Sequence, residues 1–465
     1  MDNAIDTSLQ VKITNRQILK IALPITAALI IPNINFITNN IFLGGLGERE
    51  LGNAGTTGVF YLIMMVSGSG LSTAVQSLIS RRGGEGNIAG IHKIFSQGIR
   101  IALLFAAAGI LITWFIAPFC LQPFIKPENF KQEMDFLRIR VWGLPFLYLF
   151  QAGNAFLIAT LNSRYMMIGT IGEALINIFF DYVLIYGAFS FPQLGFNGAA
   201  VASVIAECTG MSIVYVVIFK KQLKKKFKLF SDFSFDKKTT ISILEVSAPL
   251  VLQFAISLIT WLVFFILLEQ YGERAKAISN TMRNVFGIVG IFIWAFATTT
   301  NTIVSNLIGQ NLQSKVITAI HKIMWLSFTF TLIMVALLNL FPRQFLNMFG
   351  QNAEFLNEAI PVIRIISVAM LCMSISTVWL NAVTGTGKTK MNLLIEVVAI
   401  VFYVIYIYLV MIKWKLSLAM AWTNEFVYWT VIFAIAFWYI KVEDGRKLSE
   451  LGLSALRLSE LGFLR

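Results

Sequence analysis

Apolar runs of about 20 residues or more follow one another along almost the whole chain, each long enough to cross a hydrocarbon core of roughly 30 Å. Short polar breaks separate them. The pattern predicts twelve spans, at about 17–46, 52–80, 93–122, 132–161, 165–189 and 196–219, then 240–271, 276–309, 315–342, 356–383, 389–412 and 416–441. Short segments of alternating polarity, the mark of a membrane β-barrel, do not occur. The chain reads as an all-α polytopic membrane protein.

One stretch interrupts the apolar pattern in a regular way. In the fifth span Glu173, Asn177 and Asp181 recur every four residues among Ile, Phe and Leu. On a helix that spacing gives one slowly drifting polar stripe. A carboxylate in a span costs about 2.5–3.5 kcal/mol even on the lenient insertion scale, so it ordinarily faces a cavity or a partner. A lone polar residue is often a helix–helix hydrogen bond, but three on one stripe favour an ion or substrate path. Asn39, with Asn33 and Asn35 one to two turns earlier, makes span 1 polar as well, and span 6 adds Ser203 and Glu207 at i and i+4. A buried carboxylate ringed by amide and hydroxyl oxygens can take up Na⁺ or a proton.

The second half differs. Span 7 offers Gln253, Ser257 and Thr260 but no mid-span carboxylate, while Glu396 in span 11 and Glu425 in span 12 approximately mirror Glu173 and Glu207. Glutamates shared by both halves suit a structural or gating role, which leaves unmirrored Asp181 as the ion-coupling candidate. The run Thr298–Thr302 is expected to line a central cleft, and Arg283 in span 8, with Arg138 and Arg140 near the start of span 4, supplies the few intramembrane cations.

Composition agrees with the pattern: charged residues make up 13% of the chain, about half the share of a soluble domain. The net charge of +13 could suggest nucleic acid, but the basic residues sit in short loops. Arg81-Arg82, Arg164, Lys315, Lys388 and the run from Lys220 to Lys238 all fall in even-numbered loops, the positive-inside signature. Both termini and the central linker are therefore expected in the cytoplasm. The segment before the first span lacks the apolar core and small-residue cleavage site of a secretory signal, so span 1 is expected to persist. Cys120, Cys208 and Cys372 stand apart, and neither a disulfide framework nor a metal cluster is indicated.

The halves repeat one another. Leu19–Pro24 matches Leu244–Pro249, and Gly47-Glu-Arg49 matches Gly272-Glu-Arg274, both at an offset of 225. The only two histidines lie in Ile91-His92-Lys93-Ile94 and Ile320-His321-Lys322-Ile323, so a duplicated structural position is preferred over a proton relay. Six spans per half give both halves the same orientation, as in parallel-repeat transporters. The expected organisation is an N-lobe at 1–219, a basic linker at 220–238, a C-lobe at 239–441 and a cytoplasmic tail at 442–465, either native or added. In that tail Leu448–Gly452 recurs as Leu458–Gly462. Ala382–Thr389 fits a loose phosphate-loop pattern, but a true one follows a strand in an α/β domain; here it joins two spans, and nucleotide binding is not expected.

Specific residues resemble the multidrug and toxic compound extrusion (MATE) family. Ala22-Leu-Pro24 and Phe42–Gly47 look like its first-helix pattern, Gly195–Ser203 is similar to the start of its sixth helix, and Val304–Leu312 looks like the end of its eighth. The resemblance implies a V-shaped pair of six-helix lobes that export organic cations in exchange for Na⁺ or H⁺. In one branch the ion site uses a first-helix Asp, a fifth-helix Asn and Asp, and a sixth-helix Thr. Asn177 and Asp181 match the fifth-helix pair, Ser203 stands for the Thr, and Asn39 replaces the first Asp, so one carboxylate is missing. The second-lobe acidic positions of another branch fall near Ser257 and Ser374, again without charge.

The expected function is thus a cation-coupled antiporter in a bacterial inner membrane, monomeric, not an enzyme, with no cofactor beyond the coupling ion. Asp181 with Asn177, Asn39 and Ser203 would form the ion site, holding Na⁺ at Asp181 and Asn177 if that is the ion. Glu173, Glu207, Gln253, Arg283, Glu396 and Glu425 are cleft or gating candidates. A lipid-linked oligosaccharide flippase, which would want a cationic cleft, is the first alternative, and a non-transporting receptor or scaffold the second.

Overall fold

A computed structural model describes residues 7–460 apart from 124, 233 and 348–352. Among the described residues every regular element is helical. Twelve helices are long and apolar enough to cross a membrane: α1 Asn15–Gly44, α2 Arg49–Gly84, α3 Ile88–Leu121, α4 Pro127–Ala159, α5 Ser163–Tyr186, α6 Phe196–Lys220, α7 Lys237–Tyr271, α8 Glu273–Gly309, α9 Gln313–Leu340, α10 Glu354–Thr386, α11 Thr389–Lys413 and α12 Leu418–Val442. Each overlaps one predicted span. The helix of α12 continues to Glu460, so the tail prolongs a span; the second copy of its repeat runs past the described residues.

The chain divides into two compact units, Met1–Ile259 and Thr260–Arg465. The division falls inside α7, later than the basic linker where the sequence places the boundary. Two observations explain the shift. Phe227 and Leu229 of the linker are buried in the core of unit 1 with Ile91, Phe95 and Phe156. The first half of α7 also packs there: Val246 and Leu250 cluster with Ala74, and Gly70 of α2 leaves so little room that a Cβ would lie 2.6 Å from Val251. Hydrogen bonds complete the strap. His92 Nε2 contacts the Asp232 carbonyl at 3.0 Å, and Gln97 donates to that of Ser234 at 2.9 Å. His92 thus anchors the linker, whereas its counterpart His321 packs its ring on Trp379 at 5.7 Å.

The repeat is visible in side-chain contacts. Gly47 and Gly272 precede α2 and α8 with φ of +143° and +90°, a backbone that glycine adopts readily. Two residues on, Arg49 donates to Asn129 Oδ1 at 2.7 Å, and Arg274 donates to Glu354 at 2.6 Å. In both units the second helix is thereby tied to the start of the fourth.

The phosphate-loop pattern dissolves into packing. Gly385 lies where a Cβ would be 3.0 Å from the Asn301 carbonyl, and Gly387 turns between α10 and α11 with φ +82°. Helices flank it on both sides. The Thr298–Thr302 run also departs from expectation: Thr299 and Thr300 are fully buried and donate to the Ala295 and Phe296 carbonyls of their own helix. Back-bonding of this kind satisfies the hydroxyls locally.

Candidate functional site

Helices α1 and α5 run parallel and in register. Ser163 Oγ donates to the Ile21 carbonyl, Asn35 Nδ2 donates to Asn177 Oδ1 at 2.5 Å, and the Tyr186 hydroxyl donates to the Phe42 carbonyl at 2.7 Å. The first two contacts join residues 142 apart. The same offset sets Asn39 opposite Asp181. Pro32 lies less than one turn before Asn35 and about two turns before Asn39 inside α1, where it removes a backbone hydrogen bond and frees a carbonyl one turn earlier.

Small residues bring α6 close to the other side of α5. Gly198, Ala202, Ala206 and Gly210 recur every four residues and are all buried. A Cβ on Gly198 would stand 2.6 Å from the Leu184 carbonyl, so the backbones nearly touch, as small-residue stripes permit in membranes. Asp181 thus lies on a helix packed against α1 on one side and α6 on the other.

The Asp181 side chain is fully buried, and neither carboxylate oxygen has a partner. Asn39 Oδ1, Asn35 Oδ1 and Asn177 Nδ2 are likewise buried without a bond. Buried polar groups are nearly always satisfied, so this concentration marks a place built for something that brings its own bonds. The oxygens outnumber the donors, which suits a cation. Arg140 is the charged group within electrostatic reach of Asp181.

The other predicted residues separate from this centre. Ser203 is half-buried, next to Ala202, which packs on Val183 and Leu184. Glu207 points elsewhere: Arg140 grips it with two bonds, at 2.8 and 2.5 Å. The Tyr61 hydroxyl donates to the same carboxylate at 3.0 Å, and the guanidinium sits 3.7 Å over the Tyr61 ring. Both side chains of the pair are nearly buried, 13% and 5% exposed. Gly143, in a 3₁₀ turn that interrupts α4, leaves room for it; any Cβ would collide with the Glu207 carboxylate. Glu207 is therefore an ion-pair lock joining α2, α4 and α6. Glu173 is half-buried against Gly210 of α6, away from the Asn35–Asn177 contact.

In the remaining half of the chain, Gln253 is buried in the part of α7 that belongs to unit 1. Glu396 accepts a short hydrogen bond from Tyr428, and Glu425 accepts one from Trp429 Nε1 at 3.0 Å. Arg283 is exposed, with its guanidinium 5.7 Å from the centre of the Phe265 ring. Sequence reasoning missed Tyr61 and did not pair Arg140 with Glu207. A charge inside the predicted fourth span was the available signal for Arg140; a phenol in a span gave none.

Comparison with known proteins places this arrangement. The MatE family model matches residues 24–183 and 249–409. A Thermotoga maritima protein described as a probable multidrug resistance protein NorM is 22% identical over 454 residues, 96% of each chain. A crystal structure of a MATE protein in a straight conformation superposes with a TM-score of 0.86 at 18% identity, covering 96% of this chain and 99% of its own. A MOP-superfamily transporter from Pyrococcus furiosus, described as having a binding pocket of reverse polarity, gives 0.85 at 18% identity over 96% and 99%. At such identity the structural likeness shows the fold alone.

Proposed function

This chain belongs to the MatE family, an integral membrane family of transporters and not of enzymes, and on that premise we propose that it exports organic cations by exchange for Na⁺ or H⁺. The observation that carries the reading is Asp181: a fully buried carboxylate with both oxygens unmatched, opposite Asn39 and one turn from the Asn35–Asn177 bond. The description of its Thermotoga relative as a multidrug resistance protein supports drug-like cargo.

The ion enters as a co-substrate. Bound at Asp181, it neutralises the carboxylate and draws in the amide oxygens of α1, so the α1–α5 contact differs between loaded and empty states. That differential contact is what an ion needs to shift an equilibrium between inward and outward forms. The protein acts as a monomer in a bacterial inner membrane, with both termini cytoplasmic. With Asn39 in place of a second acid, Asp181 is the one essential carboxylate, and a single charge is exchanged.

A second reading rests on Arg283, which has no carboxylate partner among the described residues. A phosphate-bearing lipid would complement it, as a flippase requires. Purified protein in liposomes separates the two. Uptake of a fluorescent organic cation driven by an imposed Na⁺ or H⁺ gradient supports exchange and identifies the ion. No uptake under either gradient, with transbilayer movement of a labelled pyrophosphate lipid, overturns exchange in favour of the flippase.

A further inference from the structure

We propose that unit 1 holds an anionic phospholipid where α5 begins and α6 ends, its phosphate taken by Arg164 and Lys221 and its acyl chains lying on the apolar faces of the two helices. The site is about 25 Å along α5 from Asp181 and stands whether or not the exchange proposed above occurs.

The cations here are pinned to aromatic rings. The Arg164 guanidinium lies 4.7 Å from the centre of the Tyr165 ring and donates to the Tyr165 hydroxyl at 2.7 Å. The Lys221 ammonium, just past the end of α6, lies 5.4 Å from the centre of the same ring. The Lys224 ammonium follows, 5.2 Å from the centre of the Phe219 ring. Tyr165 packs on the core of unit 1, which fixes the ring that both Arg164 and Lys221 approach. Among the described residues none of these cations has a carboxylate partner. The acids of the nearby linker are engaged elsewhere, Asp232 by Ser234 and Asp236 by Thr239 and Lys93. Like charges gathered on one ring repel, and an anion shared between them offsets that repulsion.

Beside the cations the two helices present apolar side chains. Arg164 heads a stripe on α5 that continues through exposed Ile168, Ile171 and Leu175, the spacing of one helix face. Exposed Val216 and Phe219 lie in the last turns of α6. Gly169 brings the helices close at this level, since a Cβ there would stand 2.5 Å from Val214. Large apolar side chains exposed on a span meet hydrocarbon, so cations at the head of that face stand at headgroup depth, where Lys and Arg extend their charges. A phospholipid fits both layers. Its phosphate takes the Arg fork bidentately, pairs with the Lys221 point charge, and carries chains that cover the stripe. A zwitterionic headgroup would bring its own ammonium among the same cations, so a lipid of net negative charge is preferred. Loop charge alone does not produce this arrangement. In the matching turn of unit 2, Lys388 and Lys390 are exposed, and among the described residues neither ammonium lies over a ring.

The test uses the full-length protein in detergent, titrated with phosphatidylglycerol, with phosphatidylcholine of the same chains, or with inorganic phosphate. Native mass spectrometry counts the lipids retained, and thermal unfolding follows the stabilisation. One saturable phosphatidylglycerol is expected, with no comparable response to the other two. Arg164→Gln with Lys221→Gln should weaken it about twentyfold, since each cation near an anionic headgroup is worth about fivefold. Lys388→Gln with Lys390→Gln removes the same charge from unit 2 and should leave it unchanged. Lys221→Gln alone, at an exposed position, should weaken it about fivefold and keeps the test decisive if the double variant fails to fold. Equal weakening in the Lys388/Lys390 variant would overturn the site, because the attraction would then be diffuse. Equal retention of phosphatidylcholine, or equal stabilisation by inorganic phosphate, would overturn it as well.

Discussion

The two units share a six-helix plan but place their charges differently. Unit 1 buries an Arg140–Glu207 pair between helices and keeps Asp181 unmatched in the same bundle. Unit 2 pairs Arg274 at a helix end with exposed Glu354 and Glu358, and its spans contain no aspartate. Its buried acids, Glu396 and Glu425, are held by aromatic donors, Tyr428 and Trp429. The repeat therefore keeps helix-end ties, such as those of Arg49 and Arg274, more faithfully than it keeps buried charge. Function diverges between halves where burial makes charge costly, and on the proposed reading unit 1 carries the ion-coupling residue.

The largest effect that would sharpen this contrast comes from cutting the buried pair. Arg140→Gln strands Glu207, and removing one partner of such a pair costs about 3–5 kcal/mol. Arg274→Gln, at an exposed pair, should cost no more than about 1 kcal/mol. Denaturation of both variants in one detergent checks the difference; equal losses would erase the distinction between the units.

Next is the α5–α6 contact that holds Asp181 in place. Gly198→Val forces a side chain onto the Leu184 carbonyl and should cost about 1–3 kcal/mol, as overpacking does. Thermal unfolding measures it, and a neutral result would show that the helices are not held at close range. Asn39→Asp then makes the site more negative without disturbing unit 2. Cation affinity should rise by roughly tenfold or more, since an added charge across a helix contact is worth more than about 1 kcal/mol. Ion titration of the purified variant tests this.

The smallest effect concerns the linker strap. Asp236 accepts from the Thr239 backbone N–H, and with Lys93 beside it the carboxyl is held below its ordinary 3.8. A group lowered on folding contributes stability above its unfolded value and loses it as pH falls through the folded one. A spin label at Lys228→Cys should stay immobilised at neutral pH and loosen only below about pH 3.8. Adding Asp236→Asn should loosen it at neutral pH; an unchanged spectrum would remove Asp236 from the strap.

The spans, the repeat and the polar stripe were legible because each is a local pattern: length and hydropathy, a fixed offset, a four-residue period. Pairings over long separations were not. Arg140 and Glu207 are 67 residues apart, and nothing in a single sequence says which span faces which. The stripe of Glu173, Asn177 and Asp181 predicted a shared face, yet the drift of about 40° per four residues lets Asn177 meet α1 while Glu173 meets α6. The linker misled for a different reason. Its lysines advertise solvent, while Phe227 and Leu229 between them fill the core of unit 1. The threonines of α8 looked like cleft lining because polarity in a span is rare, but hydroxyls can return to their own helix, an option carboxylates lack.

The central claim is that Asp181 couples the ion to cargo. Its direct test is gradient-driven uptake of a fluorescent organic cation by proteoliposomes, wild type beside Asp181→Asn and Glu173→Gln. Asp181→Asn is expected to fall to the level of empty liposomes under either gradient while Glu173→Gln retains coupled uptake. Undiminished coupled uptake by a folded Asp181→Asn protein would contradict it.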